Sequence, residues 1–262
     1  MRNQFFRNAQ GYLLGNNSPV VLAGATATIS MTAQIPLLLE DICMTYEGND
    51  GFQITDFKLA GQSLMCSDQP FSGKALSVMS QSESYRSISC PIDSNQTFEV
   101  AIDNFGAVGS RFGVAIGTTP IAQSQVIPTS KLGQAINVFF GLGRTPAIPA
   151  GGTGVLSATA LRPCTLGRLV LVEDGTAGTV LTDMDDFEIT SIKVNNIELL
   201  SGSASDNPVP AKSCSYLSTL GQDLLLAYPI SLNGNITITI KNNGAAGKNV
   251  SGGIFVLPDF RE

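Results

Sequence analysis

The densest group of potential ligating side chains is residues 182–186 (TDMDD), which holds Asp183, Asp185 and Asp186. Carboxylate oxygens packed this closely suit a hard cation such as calcium. The run lacks the ligand spacing and the closing glutamate of an EF-hand loop. A solvated loop is therefore the expectation, with a structural calcium on these three aspartates as the alternative. No other cofactor is expected.

Other constellations of reactive groups are excluded by composition. The 262 residues contain no histidine and no tryptophan. Without histidine the chain lacks the commonest general base, the Ser-His and Cys-His nucleophile pairs, and the usual zinc and haem ligands. Cys43, Cys66, Cys90, Cys164 and Cys214 are widely spaced and form no Cys-x-x-Cys pair. They read as buried thiols of a protein made in a reducing cytoplasm. The glycine runs at 141–143 and 149–154 are not followed by Gly-Lys-Ser/Thr, so they are not phosphate loops. An enzyme is not expected. Lys plus Arg number 15 against 21 Asp plus Glu, a net charge of −6, which argues against a globally basic nucleic-acid binder.

One local departure from that acidity is the N-terminus. Residues 1–39 carry Arg2 and Arg7 and no acidic residue, with Phe5, Phe6, Tyr12, Leu13 and Leu14 interleaved. Arg2, Phe5, Phe6 and Arg7 are the candidate contacts to an anionic lipid surface or to a neighbouring subunit. Two charges contribute only about 2 kcal/mol at such a surface. The segment has no apolar core of signal-peptide length, so export by that route is not expected.

The elements that position these groups are strands. Residues 25–32 (ATATISMT), 52–59 (FQITDFKL), 97–102 (TFEVAI) and 236–240 (ITITI) alternate and are rich in β-branched side chains. Gly- and Asn-rich turns separate them. The hydrophobic share of 43% is ample for a core, and the charged share of 14% is too small for a disordered chain. An all-β chain with many short strands follows, hence a sandwich or a barrel.

The chain also repeats itself. Residues 30–36 (SMTAQIP) return as 157–163 (SATALRP), and 52–58 (FQITDFK) return as 187–193 (FEITSIK). A third, gapless block starting at Asp68 returns from Asp206. Along it Pro70 meets Pro208, Lys74 meets Lys212, Ser77 meets Ser215, Pro91 meets Pro229, Asn104 meets Asn242 and Gly109 meets Gly247. The blocks keep their order, and their spacing is that of a whole domain. The shared residues are turn formers and apolar strand positions, so a scaffold was duplicated and no reactive cluster was. The paired lysines read as solvated.

This predicts an arm at 1–19, a first sandwich at 20–120, a linker at 121–146, a second sandwich at 147–258 and a tail at 259–262. Apolar spacing at Leu76 and Met79, and at Leu217, Leu220 and Leu224, predicts short flank helices within 74–86 and 212–226. Residues 130–140 (SKLGQAINVFF) read as one more helix. The apolar run at 138–142 makes Phe139, Phe140 and Leu142 candidates for a subunit contact, with core burial as the competing reading.

Two tandem sandwiches in a compact acidic chain resemble the double jelly-roll major capsid proteins of tailless, lipid-containing icosahedral bacteriophages of the corticovirus and tectivirus type. The resemblance covers residues 20–258 and rests on size, architecture and the duplicated blocks. It implies two jelly rolls and no catalysis. It also implies homotrimers that form pseudo-hexagonal tiles over an internal membrane, with the N-terminal arm facing that membrane. Other capsid trimers and vertex proteins would be the partners, without sequence-specific nucleic-acid binding. The chain would be made in the host cytoplasm and reside in the virion capsid. The alternative is a tandem β-sandwich carbohydrate-binding or adhesion protein. The missing tryptophan and the mere five tyrosines count against it.

Overall fold

A computed structural model describes residues 12–47, 51–77, 87–121, 139–174, 184–200, 208–215 and 225–257. The first half forms β1 (Tyr12–Asn17), β2 (Thr26–Thr32), β3 (Leu37–Glu47), β4 (Phe52–Leu59), β5 (Gln62–Ser63), β6 (Phe71–Ser72), β7 (Ser87–Ile92), β8 (Thr97–Asn104) and β9 (Arg111–Pro120). The second forms β10 (Phe139–Arg144), β11 (Thr153–Thr159), β12 (Cys164–Asp174), β13 (Phe187–Val194), β14 (Ile197–Glu198), β15 (Val209–Pro210), β16 (Leu225–Ile230), β17 (Asn235–Asn242) and β18 (Asn249–Leu257).

Alternation decides which face each strand buries. In β2, Ile29 and Met31 point inward while Thr28, Ser30 and Thr32 face water. Phe98, Val100 and Ile102 do the same in β8, and Ile236, Ile238 and Ile240 in β17. With one face apolar, a slip of one residue would expose the whole set, so the register is strongly specified.

The sheets are β1-β9-β3-β7 facing β2-β8-β4, with β5 and β6 on the far side of β4. The second half repeats this with every strand number raised by nine: β10-β18-β12-β16 facing β11-β17-β13, with β14 and β15 beside β13. A four-stranded sheet facing a five-stranded one, in which two short strands share the place beside β4 or β13, is in this winding order a jelly roll. The chain is therefore two jelly rolls in tandem.

Irregularities are duplicated too. The register shifts between Leu39 and Asp41 in β3 and between Leu166 and Arg168 in β12. It shifts again between Ile54 and Asp56 in β4 and between Ile189 and Ser191 in β13. Asn95 and Asn233 hold φ of 64° and 61° in the turns entering β8 and β17. Asparagine tolerates that left-handed region better than most residues, which explains its retention in both copies.

Asn104 and Asn242 are each fully buried at the end of a central strand. Asn104 Nδ2 donates to Val21 O at 2.9 Å and Val108 O at 3.0 Å, and its Oδ1 accepts from Gly106 N–H at 3.0 Å. Asn242 repeats the set with Ile148 O at 2.9 Å, Ala246 O at 2.8 Å and Gly244 N–H at 2.9 Å. Each amide ties a loop to its sandwich by satisfying backbone groups that burial would otherwise orphan.

Three expectations need correction. Tyr12–Asn17 is an edge strand of the first jelly roll, not part of an arm, and Phe139–Arg144 is an edge strand of the second, not linker. Both are six residues long and carry glycine, so their alternation is too brief to read. The flank helices reduce, among the described residues, to 3₁₀ turns at Gly73–Leu76 and Ala211–Cys214. The rest of both intervals, and residues 130–138 of the third expected helix, lie outside the described residues; Phe139 and Phe140 are strand.

Replacing Asn104 or Asn242 by alanine should cost about 2–3 kcal/mol each, because several buried backbone groups lose their partner. The two losses should add, since the sites share no contacts. Urea unfolding of the single and double variants measures both.

Candidate functional site

The chemistry of this molecule is concentrated where the two jelly rolls meet. After β5 the chain leaves the first sandwich and runs as a strap across the second. Cys66 N–H donates to Phe139 O at 2.8 Å, and Leu161 N–H donates to Cys66 O at 2.8 Å. Asp68 N–H donates to Thr159 O at 3.1 Å, while its carboxylate accepts from Thr159 N–H at 2.8 Å. Gly143 N–H donates to Pro70 O at 3.0 Å. Strap and sheet thus satisfy one another's backbone.

Close approach requires glycine on the receiving sheet. A Cβ on Gly141 would lie 2.0 Å from Gln69 O, and one on Gly253 would lie 2.2 Å from the Phe71 ring. Phe71 can therefore lie against the sheet, edge-on to Phe139 and Phe255 at 5.3 Å each. Phe57 stacks on Phe139 at 4.1 Å. Phe139, Phe255, Val170 and Val172 of the second sandwich are thereby part of the first sandwich's core.

The polar half of the seam is a charge network. Lys74 is only 2% exposed, and its ammonium donates to Glu173 O at 3.3 Å. Asp174, also buried, pairs with Arg144 Nε at 3.0 Å. Ser251 Oγ lies 3.0 Å from Ser72 Oγ and 3.1 Å from Asp174 Oδ1. Lys248 bridges Glu173 at 3.0 Å and Asp186 at 2.8 Å. Arg144 reaches back over the Phe105 ring of the first sandwich, 4.4 Å from its centroid, a cation–π contact. Lys74, Arg144 and Lys248 thus balance Glu173, Asp174 and Asp186. Burial pushes the Asp174 carboxyl up to about 6, against the opposing pull of Lys74 and Arg144. At the other end of the seam Cys66 and Cys164 hydrogen-bond; that bond and burial hold the Cys66 thiol well above the usual range.

The sequence-derived candidates fall as follows. Phe139 is buried in the seam between sandwiches, whereas Phe140 and Leu142 point into the second core. Reading them as a surface for another subunit is corrected: the run is a strand covered on both faces. Asp185 pairs with Lys212 at 2.6 Å and Asp186 with Lys248, so these two carboxylates are engaged by lysines. Asp183, like Arg2, Phe5, Phe6 and Arg7, lies outside the described residues. Lys74 is not solvated as expected, although its repeat mate Lys212 has a side chain 44% exposed. The seam residues Lys74, Arg144, Glu173, Asp174 and Lys248 were not singled out as a group. The available signal was the pairing of Lys74 with Lys212 in otherwise turn-forming positions.

No family model and no curated protein matches the chain. Among solved structures there is a likeness. The chain is similar to the major capsid protein P2 from Bacteriophage PM2. The identity is 12%, the TM-score 0.35, and the match covers 95% of this chain and 99% of that one. A structure of PNGF-II matches at 10% identity and a TM-score of 0.33, covering 97% of this chain and 66% of that one. Likenesses this remote carry no functional argument, and the jelly-roll assignment rests on the strand order described above.

Two outcomes test the seam. Gly141→Ala should destabilise the chain by about 3 kcal/mol, because backbone cannot retreat from the added methyl; calorimetry should show this. The Asp174 pKa is raised from an ordinary 3.8 to about 6 on folding. The stability it contributes is therefore greatest below that ordinary value and is lost as pH rises through about 6. Asp174→Asn should remove this dependence. Its melting temperature relative to the unaltered chain should improve steadily from pH 4 to pH 7.

Proposed function

We propose that the protein is a structural shell protein, the major capsid protein of an icosahedral bacteriophage. The observation that supports this reading is the fusion of two jelly rolls of one topology along a buried seam. Such a chain is one rigid piece with two near-equivalent tiles. Three chains around a three-fold axis then present six similar sandwiches, and a three-fold object fills pseudo-hexagonal positions in a shell. Closed cyclic assembly of this kind needs the same two surfaces on every copy.

The acidic charge fits a shell separated from its genome by lipid, where no polyphosphate needs neutralising. In this reading the N-terminal segment, with Arg2, Phe5, Phe6 and Arg7, rests on that internal membrane or on a neighbouring subunit through charge attraction and shallow apolar insertion. Further copies of the trimer and vertex proteins are the remaining partners. Synthesis takes place in the host cytoplasm and the finished protein resides in the virion.

Sedimentation velocity and electron microscopy of the purified chain test the proposal. The expected species has three times the 27.4 kDa chain mass and appears as triangular or hexagonal particles. A chain that stays monomeric at high concentration overturns it. Glycan binding without assembly would instead favour an adhesive role.

A further inference from the structure

The seam is an interface between two copies of one domain, and only one of its two possible instances is used within the chain. The strap from Phe71 to Ser77 sits on the second jelly roll. Its repeat mate, Val209 to Ser215, has the same local form. β15 pairs with β13 as β6 pairs with β4. Ser215 N–H donates to Lys212 O at 3.1 Å, as Ser77 N–H does to Lys74 O at 3.1 Å.

The receiving sheets also match row by row. In the second jelly roll Gly141 lies opposite Gly253, which lies opposite Val170; the next row runs through Ser251 to Val172. In the first, Gly15 lies opposite Ala115, and the next row is Asn17, Gly113 and Thr45. Small residues thus recur where the strap needs close approach. Gly141, Gly253, Val170, Ser251 and Val172 are all buried. On the first face Gly113 and Cys43, which lies opposite Ala115, are buried as well, but Gly15 and Thr45 are exposed and Ala115 is half-buried; Asn17 is exposed, as is its counterpart Arg144.

Charge completes the correspondence. Lys74 lies beside Glu173 and Asp174 at the end of β12. Asp174 sits opposite Asn249 as Glu47 sits opposite Arg111, so Glu47 is the counterpart of Asp174 at the end of β3. Glu47 is exposed. Lys212, the counterpart of Lys74, keeps its side chain 44% exposed beside Asp185.

Resting on the shell reading above, we propose that the outer face of β1, β9 and β3 receives the Val209–Ser215 strap of a second copy, Lys212 pairing with Glu47 of the next chain. Val209 then takes the place of Phe71 and packs over Ala115, the counterpart of Gly253. The contact is head-to-tail, so each chain offers one strap and one receiving face, and three chains close a ring of six sandwiches.

Charge reversal tests this on the full chain. Glu47→Lys and Lys212→Glu should each raise the concentration for half-assembly by about tenfold or more in sedimentation velocity. The double variant should recover most of the loss. Independently, Ala115→Cys combined with Val209→Cys should give inter-chain disulfides on treatment with oxidised glutathione, each new bond releasing two molecules of reduced glutathione. The product should run as a ladder up to three chains on a non-reducing gel. Trimers indifferent to both reversals, or trimers without the cross-link, overturn the docking face and leave the shell reading standing. A monomeric unaltered chain overturns both.

Discussion

Gly141 and Gly253 leave a bare strip of backbone on one sheet, and a strap of the other domain occupies it so closely that no side chain fits between. From this contact the rest of the architecture follows. It lets Phe71 lie against the second sheet and draws Phe139 and Phe255 into an aromatic cluster with Phe57. It also carries the chain on to Lys74, which enters the seam at the ends of β12 and β18. The two domains then share apolar core rather than a wet interface, and their relative orientation is held as tightly as packing within either one.

Burying charge at such a seam is costly unless every group has a partner. Here the cations and carboxylates are matched in number, and hydroxyl and carbonyl oxygens take up remaining donors. Asp174 still bears the strain of burial, which keeps its proton affinity high. The network is best understood as a device for orientation: ion pairs and hydrogen bonds accept only one alignment of the two sheets, whereas apolar packing alone tolerates several. The seam therefore sets the angle between the sandwiches as well as adding to their stability.

Duplication explains why the two halves are alike in topology yet unlike in surface. Bulges, left-handed asparagines and the buried Asn104 and Asn242 amides persist because each is demanded by backbone geometry within its own sandwich. Surface residues were free to diverge according to what covers them. β12 is buried along almost its whole length, with Leu169 and Leu171 in one core and Val170 and Val172 in the other. Its counterpart β3 keeps Thr45 and Glu47 exposed.

Much of this was legible in the residues themselves. Period-two alternation in segments such as TATISMT and TFEVAIDN reports which face is buried, and recurring Asn, Gly and Pro report turns, because both are local properties of the backbone. The repeat, and with it two equivalent all-β domains, follows from that local information alone. Edge strands β1 and β10 escaped because six residues with glycine carry too little pattern. Lys74 looked like any solvated lysine, and VFFGL like an exposed patch, because burial from outside a strand's own sheet leaves no periodic trace. Only the tertiary structure decided that one lysine of a matched pair is enclosed and the other is not. That difference comes from what packs across the seam, a contact between residues about a hundred positions apart.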